Sequence, residues 1–278
     1  MSLIIASTKA RYRNAFGILC SGFLICNLQA IFVHFTWCTI VLSVKSPALS
    51  SPQFFLVRLV GLLLNGGWFG SLFLHFAIAV NRFHAFVYAT KYNQLWSQSN
   101  TLKAVLIVWT SAIVYCTHHL FYDCALLFNR SSTYSWLHYG QICGNFDAAA
   151  SVVIVLAIAC IDFITFIKIL AYRRAMRKNM TVSVGGVNKE REILFFKQSC
   201  KLGLLYIFFV ITFNVPARLF TDKWILFISG TISWILIHSL DGLIFLIFNW
   251  NVLWKKNFRA TVIVPVTNLD LFRIIPKP

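Results

Sequence analysis

The chain has 278 residues, 59% hydrophobic and only 12% charged, with 25 Lys and Arg against 8 Asp and Glu and a formal net charge of +17. Mean hydropathy is +0.74. A soluble domain carries about 25% charged residues, so this composition excludes an ordinary water-soluble enzyme and points to a lipid bilayer as the solvent.

Uncharged runs place the spans. No Asp, Glu, Lys or Arg occurs between Arg13 and Lys45, between Arg58 and Arg82, or between Lys103 and Asp123. Ala148 to Leu170 is apolar apart from Asp162 and Lys168, Leu202 to Ala217 is shorter, and Trp224 to Trp254 is interrupted only by Asp241. A helix needs about 20 mostly apolar residues to cross the hydrocarbon core, and a helix satisfies its own backbone hydrogen bonds in lipid. The pattern predicts six spans, the fifth being the shortest. The apolar start Leu3 to Ala6 falls short of the roughly 7–15 residues of a signal-peptide core, so no signal peptide is expected. The division that follows is a segment 1–14, a transmembrane region 15–249 and a tail 250–278.

Charge orients these spans. Nineteen Lys and Arg fall in the N-terminal segment, the second and fourth connections and the tail, against five (Lys45, Arg58, Arg130, Arg218, Lys223) in the alternate connections, with Lys168 inside a span. Basic residues gather on the cytoplasmic side, which predicts both termini inside. The same distribution assigns the positive charge to topology and anionic lipid rather than to nucleic acid. Asn129-Arg130-Ser131 is a glycosylation sequon in a connection expected outside, where Cys124 and Cys143 also lie and disulfides are permitted. Asn179-Met180-Thr181 lies on the expected cytoplasmic side and should stay unmodified. The other six cysteines fall in or beside spans and read as packing residues.

Ionisable residues inside spans are costly and mark function by default. Asp241 in the sixth span reads equally as part of a switch or ion site and as a helix–helix contact. Asp162 and Lys168, in the fourth, read as structural, Lys168 by reaching the interface. His118 and His119 are the only adjacent histidines of the five in or near spans. Neighbouring residues on a helix point apart, so no metal site is expected, and no phosphate loop, nucleophile elbow or His-Glu-x-x-His occurs. The chain thus has no catalytic constellation and implies no cofactor.

Asn81-Arg82-Phe83 closes the second span on the expected inner side. Together with His84-Ala85-Phe86, Lys91-Tyr92-Asn93 and Trp96-Ser97, it resembles the end of the third helix of nematode serpentine receptors of class x (Srx). These are seven-helix G-protein-coupled chemoreceptor-like proteins. Arg13 to Cys20 resembles the start of their second helix, and Arg191 to Cys200 their third inner loop. Phe220 to Trp224 and Trp234 to Ile244 resemble their last two helices, and Cys124 with Cys143-Gly144 their second external loop. Ala89-Thr90 stands where the family commonly has a Pro before Lys91-Tyr92. The resemblance covers about residues 9 to 250 and implies an all-α transmembrane bundle in which six spans correspond to the family's second through seventh helices, the first being absent.

What it further implies is a plasma-membrane receptor that couples a small external ligand to a heterotrimeric G protein. Asn81, Arg82 and Phe83 would be the inner switch, with Arg82→Ala silencing signalling while leaving surface expression intact. The basic stretch from Arg173 to Lys201 would be the coupling surface. The ligand-binding residues are not readable, because the outer helix halves are generically aromatic and aliphatic. Two readings compete: a truncated, non-signalling remnant of such a receptor, and a six-helix transporter or channel. The latter would show internal repeats or broken helices, and the halves of this chain show no repeat.

Overall fold

The computed structural model describes residues 15–88, 90–130, 134–178, 200–201, 203–213, 215–216, 219–220 and 222–255. Within them, five helices are long and apolar enough to cross a membrane. These are α1 (Ala15–Val44), α2 (Phe55–Val87), α3 (Gln98–Tyr115, tightening into a 3₁₀ turn over Cys116–Leu120), α4 (Gln141–Lys178) and the last helix. Where the sequence predicts the fifth span stands a shorter apolar helix, α5 (Gly203–Phe213). The last helix, α6, starts at Lys223–Phe227, passes through a π-turn at Ile228–Ile232 and continues over Ser233–Lys255.

Local chemistry explains the helix ends. Ser97 caps α3 by accepting the Asn100 amide at 3.3 Å, and Asp222 caps α6 by accepting from the amides of Trp224 and Ile225 at 2.9 and 3.1 Å. Each supplies an acceptor to N–H groups that have no partner within their own helix. Between them the helices show the inverse of a soluble surface: Phe32, Phe35, Ile107, Val153, Phe163 and Phe208 are all exposed. Apolar side chains facing outward on several helices at once are what lipid-facing surface requires.

Helix α2 is the axis of the bundle. Its most apolar stretch is 72% buried, against 17% for that of α3, which lies at the periphery. The antiparallel α1 approaches α2 closely because Gly67 has no side chain. A Cβ there would meet the Ala30 Cβ at 3.0 Å and the Cys26 carbonyl at 3.1 Å. Small residues at such seams let helix backbones approach where lipid leaves no hydrophobic drive between helices. Helix α4 runs parallel to α2, and pairs at 65/147, 68/151 and 82/162 rise together along both.

The expectation of an all-helical chain needs one addition. Between α3 and α4 the chain forms an antiparallel hairpin, β1 (Leu126–Asn129) with β2 (Ser135–His138), Leu126 opposite His138. The hairpin is inserted into the end of the bundle: Leu126, Phe128 and Trp136 are all buried. Gly61 of α2 makes room for it, since a Cβ there would meet the Leu126 carbonyl oxygen at 2.5 Å. On the far side, Thr231 in the π-turn donates to the Tyr134 carbonyl at 2.6 Å. A π-turn widens a helix locally and is often found at functional sites; here it is the surface on which the hairpin docks.

Candidate functional site

Among the described residues, three buried polar assemblies lie along the bundle, and α2 contributes to all of them. From Asn65 to Arg82 is 17 residues, roughly 25 Å of helix at 1.5 Å per residue.

At the hairpin end the centre is Asp147, in the second turn of α4. Its Oδ2 accepts from Asn65 Nδ2 at 2.9 Å and lies 3.0 Å from His138 Nε2 and 3.2 Å from His119 Nε2. Its Oδ1 accepts from the Tyr115 hydroxyl at 3.0 Å and lies 3.3 Å from His118 Nε2. The expected divergence of His118 and His119 does not hold. Both sit in the 3₁₀ turn ending α3, whose tighter winding, with Asp147 between them, lets adjacent rings converge on one carboxylate, their centroids 4.1 Å apart. Cys124 and Cys143 are bonded, with Cα atoms 5.3 Å apart, which ties the segment after that turn to the first turn of α4. Asn129 ends β1 and is half-buried. Its sequon partner Ser131 and the second sequon at Asn179 lie outside the described residues.

Beside Asp147 is a cavity of about 250 Å³, lined among others by Asn65, Trp68, Trp136, His138 and Trp234. Its floor is an aromatic cluster in which Trp68 lies 5.6 Å from Trp234, 5.1 Å from Phe209 and 5.4 Å from Tyr206, ring to ring. Trp68 is held to α4 by its Nε1–H, which donates to the Ser151 hydroxyl at 3.2 Å.

Directly below lies the Asp241 assembly. Asp241 Oδ2 accepts from Asn27 Nδ2 at 2.9 Å and from the Tyr206 hydroxyl at 3.0 Å. The Asn27 carbonyl oxygen accepts in turn from the Ser71 hydroxyl at 2.8 Å and meets His238 Nδ1 at 2.6 Å. Four helices (α1, α2, α5 and α6) thus meet through groups that are all buried. Buried polar groups of this kind specify one arrangement because each needs the others as partners. Trp68 touches both levels, since its ring is 6.0 Å from that of His238.

At the opposite end, Arg82 is completely buried and pairs with Asp162 of α4, Nη2 to Oδ1 at 2.7 Å, while its Nε–H donates to the Ile78 carbonyl at 3.2 Å. Asp162, read from sequence as merely structural, is therefore the counter-ion of Arg82. Asn81 is buried as well and donates to the Tyr92 hydroxyl at 3.2 Å, anchoring the helical turn Tyr92–Leu95. Phe83 is half-buried, its ring tilted against His84 at 6.0 Å and edge-on to Tyr88 at 6.3 Å. A second, mostly apolar cavity of about 600 Å³ lies between α4 and α5 beside Asp162, lined also by His75, Phe166, Lys201 and Tyr206. The basic stretch from Arg173 to Lys201 falls mostly outside the described residues.

Sequence reasoning missed Asp147, because it stands at the edge of a span where an acid looks like a boundary. It also missed Asn27, Asn65, Ser71 and Tyr206, whose neutral side chains give no signal until their partners are known.

These features have relatives. Residues 1–249 match the family described as serpentine type 7TM GPCR chemoreceptor Srx. The chain is also 23% identical over 229 residues to Serpentine receptor class X 45 of Caenorhabditis elegans, an overlap covering 75% of this chain and 61% of that protein. It therefore spans about three fifths of that relative's length. With the family match running through all three polar assemblies, the chain belongs to the Srx family of serpentine, GPCR-type chemoreceptors.

Proposed function

We propose that this membrane protein detects a small external chemical in the cavity at the hairpin end and passes the signal to a heterotrimeric G protein at the Arg82 end. The observation that carries this reading is the Arg82–Asp162 pair, because it joins the same two helices, α2 and α4, whose other halves line the cavity. A ligand that binds one helix arrangement better than another shifts the population toward it. Contact with Trp68 or Trp234 would act on Tyr206 and His238, which those rings touch. A shift of α5 and α6 there changes the fit of α4 against α5 around the 600 Å³ cavity beside Asp162. In this reading the hairpin end faces outward, as the charge distribution predicts, and the host membrane is the plasma membrane.

The geometry changes how Arg82 must be tested. Arg82→Ala strands the Asp162 carboxylate in an apolar site, so loss of signal would be mixed with loss of fold. The double variant Arg82→Met/Asp162→Leu removes both charges and keeps the packing volume. In cells carrying a G-protein-linked calcium reporter and challenged with a panel of small volatile and water-soluble chemicals, the parent chain should respond to at least one. The double variant should reach the surface and stay silent. A full response from the double variant removes the pair from the mechanism. Currents or solute flux that persist without any G protein would favour a transporter or channel instead.

A further inference from the structure

We propose that His118, His119 and Asp147 form a binding site for a divalent transition-metal ion of the zinc class, set between the 3₁₀ turn that ends α3 and the start of α4. One ligand atom from each of the three lies within 4.8 Å of the others. Zinc takes imidazole nitrogen and carboxylate oxygen at about 2.0–2.2 Å, which puts neighbouring ligands in a tetrahedral shell about 3.3 Å apart. The observed separations are 3.3 Å from His118 Nε2 to Oδ1 of Asp147 and 3.2 Å from His119 Nε2 to its Oδ2, so a small rotation of the carboxylate would bring one oxygen to bear on an ion held by both rings.

The tautomers are already those that metal binding needs. His118 Nδ1 lies 2.7 Å from the Tyr115 carbonyl oxygen and His119 Nδ1 lies 2.8 Å from that of Cys124. A carbonyl can only accept, so both Nδ1 atoms carry hydrogen, and Nε2 of each ring is the nitrogen that faces Asp147 and is left to bind a metal. Metal-bound histidines are commonly oriented in this way, by a second-shell carbonyl on the far ring nitrogen. His118 Nε2 is moreover buried and makes no hydrogen bond of good geometry, its contact with Asp147 Oδ1 being 3.3 Å. With Nδ1–H held by a carbonyl, Nε2 faces the carboxylate through either a proton or a metal ion, and a bound ion takes the proton's place.

The rest of the cluster suits the same ion. Asp147 is held by the Tyr115 hydroxyl, Asn65 and His138, which fix both carboxylate oxygens. Asn65 Nδ2 also donates to His119 Nε2 at 2.6 Å, and the ion takes the place of that hydrogen while Asn65 keeps its bond to Asp147. The Cys124–Cys143 bridge joins the carbonyl that orients His119 to the helical turn that carries Asp147. Three protein ligands leave a fourth position open, the pattern of sites that exchange a small molecule rather than of closed structural zinc. Imidazole-rich sites suit Zn²⁺ and Cu²⁺ over Ca²⁺ or Mg²⁺. The ion would sit beside the 250 Å³ cavity, which Asp147 also lines. The site stands independently of G-protein coupling, and neither depends on the other.

The test uses the full chain purified in detergent micelles with its disulfide intact. Titration with Co²⁺, read by its visible absorption, should saturate at one ion per chain, and Zn²⁺ should displace it. In the unmutated protein, micromolar Zn²⁺ should block carbethoxylation of His118 by diethyl pyrocarbonate, mapped by peptide mass spectrometry. His118→Ala should weaken Co²⁺ binding more than about tenfold. The absence of a saturable cobalt spectrum, or carbethoxylation of His118 that Zn²⁺ leaves unchanged, overturns the site and leaves a hydrogen-bonded cluster around Asp147. Saturable binding that His118→Ala leaves untouched places the ion elsewhere and overturns it too. Because the chemical mapping needs no substitution, a variant that fails to fold does not decide the outcome.

Discussion

The two ends of the α2–α4 seam each bury one aspartate and stabilise it in opposite ways. Asp162 meets a permanent charge, the guanidinium of Arg82, beside a mostly apolar cavity that Lys201 and Tyr206 also line. Asp147 meets three imidazoles, an amide and a phenol, none of which carries a fixed charge. The first arrangement is all or nothing, because either partner alone is an uncompensated ion in low dielectric. The second is graded, since five neighbours surround the carboxylate and losing one leaves four. Under the function proposed above, graded neutralisation would suit the end that admits a ligand, and an all-or-nothing pair the end that holds one of two positions.

The contrast predicts its largest effect at the Arg82 end. Arg82→Met or Asp162→Leu alone should each cost about 3–5 kcal/mol, the usual result of leaving one member of a buried ion pair behind. The double substitution should recover most of that loss, because its two desolvation penalties vanish together. Thermal unfolding of all three variants in micelles checks this, and a double variant as unstable as either single one would mean that the pair is not the isolated two-body contact described.

Next comes the disulfide. Cys124→Ser/Cys143→Ser opens a loop of sequence separation 19 and should cost about 3 kcal/mol. The loss should be local: amide hydrogen exchange should rise across Leu126–His138 and stay unchanged across Ile78–Val87. Equal loosening at both ends would show that the hairpin and the ion pair unfold as one unit, and the comparison would collapse. Asp147→Asn comes third. The amide keeps one acceptor and the shape of the carboxylate, so with the other donors redistributing, the cost should be about 1–3 kcal/mol. A cost as large as that of Asp162→Leu would mean that Asp147 also works as one half of a strict ion pair.

Much of this organisation was legible in the sequence, for reasons that also explain what was not. The membrane helices were readable because each needs a long uncharged run, and charges that interrupt such runs, at Arg82, Asp162 and Asp241, stand out by their cost. The shortness of α5 was visible as the short run Leu202 to Ala217. Pairing was not readable: Arg82 finds Asp162 80 residues away, and Asn27 finds Asp241 214 residues away. Span spacing carries no register between distant helices. The hairpin escaped because its strands are four residues each, too short for alternation to declare itself. His118 and His119 were misjudged by assuming α-helical geometry where the chain tightens to 3₁₀, and Asp147 because an acid at the edge of a span looks like an interface.

The smallest effect is expected where the Arg82 end meets water. Tyr92 is half-buried and its hydroxyl exchanges hydrogen bonds with Asn81 at 3.2 and 3.4 Å, distances at the long end of the range. A water molecule reaches that position once the hydroxyl is gone, so Tyr92→Phe should cost less than about 1 kcal/mol. Its effect should appear only as faster exchange in the turn Tyr92–Leu95, which also leans on the bond from Trp96 Nε1 to His84 Nδ1 at 3.0 Å. Asn81 is the informative partner, being buried one residue before Arg82 on the same turn of α2. If Tyr92→Phe instead destabilises as much as breaking the ion pair, the buried unit at this end extends through Asn81 to the connecting turn. The all-or-nothing element would then be a three-part assembly of Arg82, Asn81 and that turn, and a partner pressing on the turn could release it without touching Arg82.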